Sequence, residues 1–90
     1  MVLVADIGNT NITLGIYKND ELIFVSRLAT QRHRTSEQYA IELNAVFNLE
    51  NISGEFEGAV ISSVVPELTR AFKEAIEKVA KVKALVVAAG

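Results

Sequence analysis

The sequence predicts an α/β fold: a mixed five-stranded sheet with helices packed on it, in the order βββαβαβ. Three observations lead there. Three β-forming runs near the start are joined by short connections, which implies an antiparallel meander. Two segments further on carry apolar residues at helical spacing. Each of these helices leads to or follows a short apolar run, and a helical crossover normally returns the chain parallel and right-handed.

The elements follow in order. Val2 to Ala5 is unbroken apolar, which suits a central strand covered on both faces. Ile12 to Tyr17 alternates, with Ile12, Leu14 and Ile16 on one side. Lys18-Asn19-Asp20 reads as a tight turn, and Leu22 to Leu28 as a third strand rich in β-formers. Ala29 to Thr35 is a polar loop. Thr35 opens a helix, and Gln38 three residues on completes a capping box. Tyr39, Leu43, Val46 and Phe47 form its apolar stripe. Asn48 to Gly58 is a polar connection, and Ala59 to Ser63 is a fourth strand. Pro66 fits the first turn of a second helix, where its missing N–H costs nothing. That helix turns Leu68, Phe72, Ile76 and Val79 inward. Outside it pairs Glu74 with Lys78 and Glu77 with Lys81 at i,i+4 spacing. Ala84 to Ala88 is the fifth strand. This is the pattern of the ribonuclease H-like fold, shared by the actin, Hsp70 and sugar-kinase ATPase superfamily.

At 90 residues the chain is at most one small domain, taken as 1–90. Half of it is hydrophobic and 22% is charged, a globular composition. A net charge of −2 gives no electrostatic case for nucleic acid. With no cysteine and one histidine, disulfides and a structural zinc site drop out. The first residues lack a basic n-region, and no apolar stretch approaches the roughly 18 residues of a membrane helix. A soluble, cytoplasmic protein without a membrane partner is the expectation.

The chemistry concentrates in the first hairpin, Asp6-Ile7-Gly8-Asn9-Thr10-Asn11-Ile12-Thr13. Asp6 ends an apolar strand, so its carboxylate is expected to be half-shielded from water and to need a partner such as a cation. Magnesium prefers carboxylate oxygens and water, and bridges to substrate phosphates. Gly8 can take positive φ and lets the backbone approach a ligand. The N–H groups from Gly8 to Asn11 can turn inward together as an anion nest. Thr10 and Thr13 add hydroxyls, and Asn9 and Asn11 add amides. A Gly-Asn pair between strands is also ordinary hairpin punctuation, so spacing alone leaves both readings open. The loop's position in the first hairpin of a βββαβαβ chain favours ATP phosphate binding. It is neither a Walker A loop nor a dinucleotide fingerprint, since no Gly-Lys-Ser/Thr and no G-x-G-x-x-G is present.

Other residues carry weaker signals. Arg27, Arg32, His33 and Arg34 form a basic cluster with no acid between Glu21 and Glu37. Arginine suits bidentate phosphate or carboxylate recognition, although charge runs usually face water. His33 has no partner in view for acid–base work. Ser62 and Ser63 end a strand ahead of a helix. They either shape the start of that helix or line a cleft beside Asp6, because ligands gather at the carboxyl ends of parallel strands. Ser62, Ser63, Arg32 and Arg34 are therefore candidate cleft or anion contacts. Gly15 marks a bulge or close packing.

Four blocks together make the chain resemble the amino-terminal part of the type III pantothenate kinases, the family that includes the Bvg accessory factor proteins. They are Asp6 to Asn11; Arg27-Leu28-Ala29-Thr30 with Arg32, Arg34 and Thr35; Ile61-Ser62-Ser63-Val64-Val65-Pro66; and Leu85-Val86-Val87 before Gly90. Ala5, where the family often has a larger residue, is a mild departure. The resemblance implies ATP-dependent phosphorylation of pantothenate to 4′-phosphopantothenate, the first step of coenzyme A synthesis. It implies a homodimer, magnesium (placed near Asp6, through water) and a monovalent cation, K+ or NH4+, whose ligands are not in this chain. It makes Asp6 to Thr13 the ATP phosphate segment.

The family also has a glycine-rich pantothenate segment, a catalytic base, a second phosphate loop and an adenosine site, none of which lies in these 90 residues. The expectation is one part of a two-domain kinase, with no catalytic residue here and no turnover alone. Another superfamily enzyme, such as a sugar or acetate kinase, is the first alternative. The Ile61 to Pro66 block argues against it. A non-catalytic regulatory or dimerisation module is the second.

Overall fold

A computed structural model describes residues 1–88. Gly90, which follows the last of the four blocks, lies outside the described residues. Five strands and two helices follow the expected order: β1 (Val2–Ile7), β2 (Asn11–Lys18), β3 (Glu21–Ala29), α1 (Ser36–Leu49), β4 (Gly58–Ser63), α2 (Pro66–Ala80) and β5 (Ala84–Ala88). They form one sheet in the order β3-β2-β1-β4-β5. β1 pairs antiparallel with β2 and parallel with β4, so the first strand is central and its carboxyl end lies beside that of β4.

Local chemistry sets the boundaries. Asn19 and Asp20 both have positive φ, 51° and 63°, the twist a two-residue hairpin turn requires. Thr35 caps α1 in a full capping box: its hydroxyl accepts from the Gln38 N–H at 3.2 Å, and Gln38 Oε1 accepts from the Thr35 N–H at 2.8 Å. Pro66 is the first residue of α2, and Lys81 closes that helix in the left-handed region at φ 59°.

Both helices lie on one face. Leu3, Ala5, Ile7, Ile12, Leu14, Ile16, Ala59 and Ile61 point from the strands into a single core with Tyr39, Leu43 and Phe47 of α1 and Leu68, Phe72, Ala75 and Ile76 of α2. Each large apolar side chain buried there stabilises the fold by about 1.5–3 kcal/mol. Val46 and Val79 sit at the rim of this core rather than inside it.

Two expectations are corrected here. β1 is not covered on both faces among the described residues. Val2 and Val4 are half-buried, and the open face of the sheet also carries Tyr17, Leu22, Val25, Val60 and Leu85. A purely apolar run does not distinguish a doubly covered strand from one whose second face stays open.

The surface ion pairs on α2 also shift by one turn. Arg70 pairs with Glu74 and Lys73 with Glu77, at 3.2 and 3.3 Å. Lys81 has left the helix as its cap, so it cannot serve Glu77 from within it. Glu77 instead reaches forward and accepts from the Ala84 N–H at 2.8 Å, tying the end of α2 to the first residue of β5.

The Ala84 N–H holds the Glu77 carboxyl below the ordinary glutamate range; partial desolvation opposes it, and the Lys73 ammonium adds to the lowering. The folded-state pKa is therefore the lower one. Stability from this contact is fully present above the unfolded value of about 4.3 and is lost as pH falls through the folded value. Glu77→Gln should remove part of the acid sensitivity of unfolding below about pH 4.3, measured by denaturant midpoints across pH. An unchanged acid limb would count against this tie.

Candidate phosphate-binding site

The loop after β1 is built by the pairing of the first two strands. Ile7 and Ile12 face each other at the end of the ladder, both fully buried, and anchor Gly8 to Asn11 between them. The Gly8 N–H donates to the Asn11 carbonyl at 2.9 Å and closes the turn. That bond removes Gly8 from the expected anion nest. Gly8 also does not use positive φ; among the described residues only Gly54 does so as a glycine. The need for glycine is one of space, because a Cβ at Gly8 would lie 3.1 Å from the Asn11 carbonyl oxygen. The Asn9 and Thr10 N–H groups have no acceptor among the described residues, so they remain as donors at the loop tip.

Asp6 is exposed rather than half-shielded. Strand alternation turns Leu3, Ala5 and Ile7 into the core, which sends Asp6 to the open face. Its cross-sheet neighbours there are Thr13 on β2 and Ser62 on β4, with Arg27 of β3 opposite Thr13. Arg27, Thr13, Asp6 and Ser62 thus form one polar row across four strands, above an apolar stretch of the same face. Ser63 has the opposite orientation. Its hydroxyl accepts from the Val65 N–H at 3.0 Å and shapes the turn into α2, so it does not join Asp6.

The basic cluster divides. Arg32 Nη2 donates to Asn9 Oδ1 at 2.8 Å, which brings this arginine to the loop. The contact uses the carbonyl of the Asn9 amide and leaves its NH2 group as a donor. Arg34 turns away: it pairs with Glu42 at 3.0 Å and lies over the Tyr39 ring at 5.7 Å. It is held by the helix and is not near the loop's polar row. His33 is exposed.

Residue-type reasoning missed two contributors. Thr30 bonds the loop twice, through its N–H to the Thr10 carbonyl at 3.0 Å and its hydroxyl to the Gly8 carbonyl at 2.8 Å. Arg27 enters the sequence reading as a member of a charge run and of the Arg27–Thr30 block, with no link to Asp6. The meander register carries the signal for both, since pairing Asn11 with Ala29 puts Thr30 beside Thr10 and Arg27 beside Thr13.

Asp6 has no hydrogen bond or ion pair among the described residues, and no group of three or more His, Cys, Asp or Glu side chains gathers there. A lone carboxylate flanked by hydroxyls fits magnesium, which keeps most of its waters and binds one or two carboxylates plus phosphate oxygens. It does not fit an all-protein metal cage. A cavity of about 540 Å3, lined by residues such as Phe47, Phe56 and Lys81, lies at the other end of the domain. The loop itself stands on an open surface, as one wall of a two-sided cleft would.

A hairpin on the central strand of a mixed five-stranded sheet, with both helices on one face, is the α/β architecture of the actin-like and sugar-kinase folds. The same architecture occurs in a putative N-acetylglucosamine kinase from Porphyromonas gingivalis, with a TM-score of 0.70 at 15% identity, over 98% of this chain and 34% of that one. A ROK hexokinase from Thermus thermophilus matches with a TM-score of 0.64 at 14% identity, over 97% of this chain and 33% of the other. At such identities the likeness concerns the fold alone.

Sequence comparison is more specific. The profile of the type III pantothenate kinases matches residues 2–90, and the chain belongs to that family. A type III pantothenate kinase of Finegoldia magna is 43% identical over 88 residues, covering 97% of this chain and 34% of the relative. One from Bacillus cytotoxicus is 37% identical over 91 residues, covering all of this chain and 35% of the relative. The chain thus spans about a third of the length of the curated relatives it matches.

Proposed function

We propose that this chain supplies the first ATP-phosphate segment of an enzyme that transfers the γ-phosphoryl group of ATP to pantothenate, giving 4′-phosphopantothenate. The reading rests on one observation above others. The family match extends over residues 2–90, and its first block coincides with a loop whose Asn9 and Thr10 N–H groups are unspent beside an exposed carboxylate.

Asn9 and Thr10 offer backbone donors to phosphate oxygens, and the Asn9 and Asn11 amides and the Thr10 and Thr13 hydroxyls add side-chain donors. Ile7 and Ile12 hold the ends of the loop in the core, and Gly8 keeps its turn tight. Asp6 would hold magnesium through water, with Ser62 beside it. Bound there, the cation neutralises charge on the phosphates. Arg32 stands at the loop tip as an anion contact. Phosphoryl transfer asks the protein mainly for positioning and charge stabilisation, and this donor set is suited to both. The monovalent cation, K+ or NH4+, the homodimer and a cytoplasmic location belong to the same reading. Among the described residues no helix is long and apolar enough to cross a membrane.

The test is phosphorylation of an acceptor panel by the complete polypeptide: pantothenate, N-acetylglucosamine, glucose and acetate. Transfer to pantothenate alone is expected. Transfer to a sugar or acetate in its place would move the chain's role to another kinase of the same fold.

A further inference from the structure

The phosphate loop does not stand alone. The three-residue segment Thr30–Arg32 bonds three successive loop residues. Thr30 Oγ1 donates to the Gly8 carbonyl at 2.8 Å, Arg32 Nη2 donates to Asn9 Oδ1 at 2.8 Å, and the Thr30 N–H donates to the Thr10 carbonyl at 3.0 Å. The segment is itself clamped at its middle residue. The Tyr39 hydroxyl accepts from the Gln31 N–H and donates to the Gln31 carbonyl, both at 2.8 Å. Both backbone polar groups of one loop residue are thereby satisfied by one side chain.

Tyr39 is well placed to act as an anchor. Its side chain is among the largest fully buried ones. Phe72 meets its ring edge-on with centroids 5.1 Å apart, and the Arg34 guanidinium covers it at 5.7 Å. The capping box that starts α1 lies one turn away and fixes the helix relative to the loop. Rigid core, phenol, Gln31, strap and loop therefore form one continuous chain of contacts. An otherwise exposed hairpin tip gains a defined geometry from it, with the Gly8 and Thr10 carbonyls held by Thr30. Donors aimed in advance are what stabilise developing charge without reorganisation.

We propose that Thr30 and Tyr39 are positioning residues for nucleotide binding: the Tyr39-anchored strap Thr30–Arg32 sets the conformation in which the Gly8–Asn11 loop receives the phosphates of ATP. This deepens the kinase reading above and rests on it. Neither residue touches the nucleotide. Arg32 belongs to the strap by its bond to Asn9.

The experiment compares Thr30→Val, Thr30→Ser and Tyr39→Phe in the complete polypeptide. Thr30→Val keeps the shape and removes the hydroxyl, and Tyr39→Phe keeps the ring and its packing on Phe72. Three quantities are read: kinetics with ATP, kinetics with pantothenate, and backbone amide exchange at Gly8 and Thr30, whose N–H groups are bonded to Asn11 and Thr10. Thr30→Val, which loses one hydrogen bond, and Tyr39→Phe, which loses two, should each lower kcat/KM for ATP about tenfold or more. KM for pantothenate should stay within about twofold. Loop amide exchange should accelerate, and Thr30→Ser should restore the parent behaviour. A role in stability alone would lower the melting temperature and leave the ATP and pantothenate constants together.

The strap is overturned if loop exchange is unchanged in both Thr30→Val and Tyr39→Phe, or if Thr30→Ser is as poor as Thr30→Val. Should Thr30→Val not fold, Tyr39→Phe carries the test by the same readings. Failure of the kinase reading looks different: the parent would not phosphorylate pantothenate, and the exchange measurement would still decide whether the strap orders the loop.

Discussion

Replacing Asp6 with Asn should reduce turnover by the complete polypeptide by at least about 100-fold, the scale on which single preorganised charge-stabilising groups act. The fold should hardly notice. Asp6 is exposed, makes no hydrogen bond or ion pair among the described residues, and lies on the open face one residue before the end of β1. Surface changes of that kind usually stay within about 0.5 kcal/mol. The amide preserves size and one acceptor oxygen but removes the charge that attracts a hydrated magnesium ion. Raising magnesium should recover part of the loss, because the role proposed for Asp6 is to hold that cation. Steady-state rates and a melting curve of the same sample suffice. A stable variant with unchanged kcat would remove Asp6 from the site.

The second large effect lies in the core. Phe72→Ala should cost about 3–5 kcal/mol. Phe72 is fully buried, meets Tyr39 edge-on at 5.1 Å and lies where α1 and α2 come together over the sheet. A domain of this size has only about 5–15 kcal/mol of total stability, so most of the margin would go. The denaturant midpoint should fall steeply with little change in slope. Phe72→Leu, which refills much of the volume, should lose less than half as much. Equal losses for both would mean that the ring's volume and its contact with Tyr39 are not what matters there.

The two predictions draw on parts of the molecule that differ in how well the sequence discloses them. Elements were readable because their determinants are local: the Thr35–Gln38 capping box, Pro66 at a first turn, Asn19-Asp20 between strands, and stripes at 3.6-residue spacing. Topology followed from short connections in one half and helical crossovers in the other.

What stayed hidden depends on three-dimensional neighbours. Asp6 looked shielded because its strand is apolar, yet only alternate residues of β1 meet the helices. Gly8 seemed to offer a free N–H and positive φ, but closing the turn uses the N–H and crowds the position where a Cβ would stand. Arg32 and Arg34 are two residues apart and look alike, but one reaches Asn9 and the other is captured by Glu42 and Tyr39. Ser62 and Ser63 separate for the simplest reason, since neighbours on a strand face opposite ways. Tyr39 reads as a core aromatic, and its hydroxyl bonds to Gln31 become visible only once the loop is in place.

On the proposed function, the Asp6–Thr13 loop serves transfer of phosphate from ATP to pantothenate. The most direct measurement is transfer of labelled γ-phosphate by the complete polypeptide, with the acceptors competing in one reaction and the products separated. Label appearing in phosphopantothenate, dependent on magnesium and cut by at least about 100-fold in Asp6→Asn, is the predicted result. Label in a sugar phosphate or acetyl phosphate, or undiminished phosphopantothenate from Asp6→Asn, would contradict it.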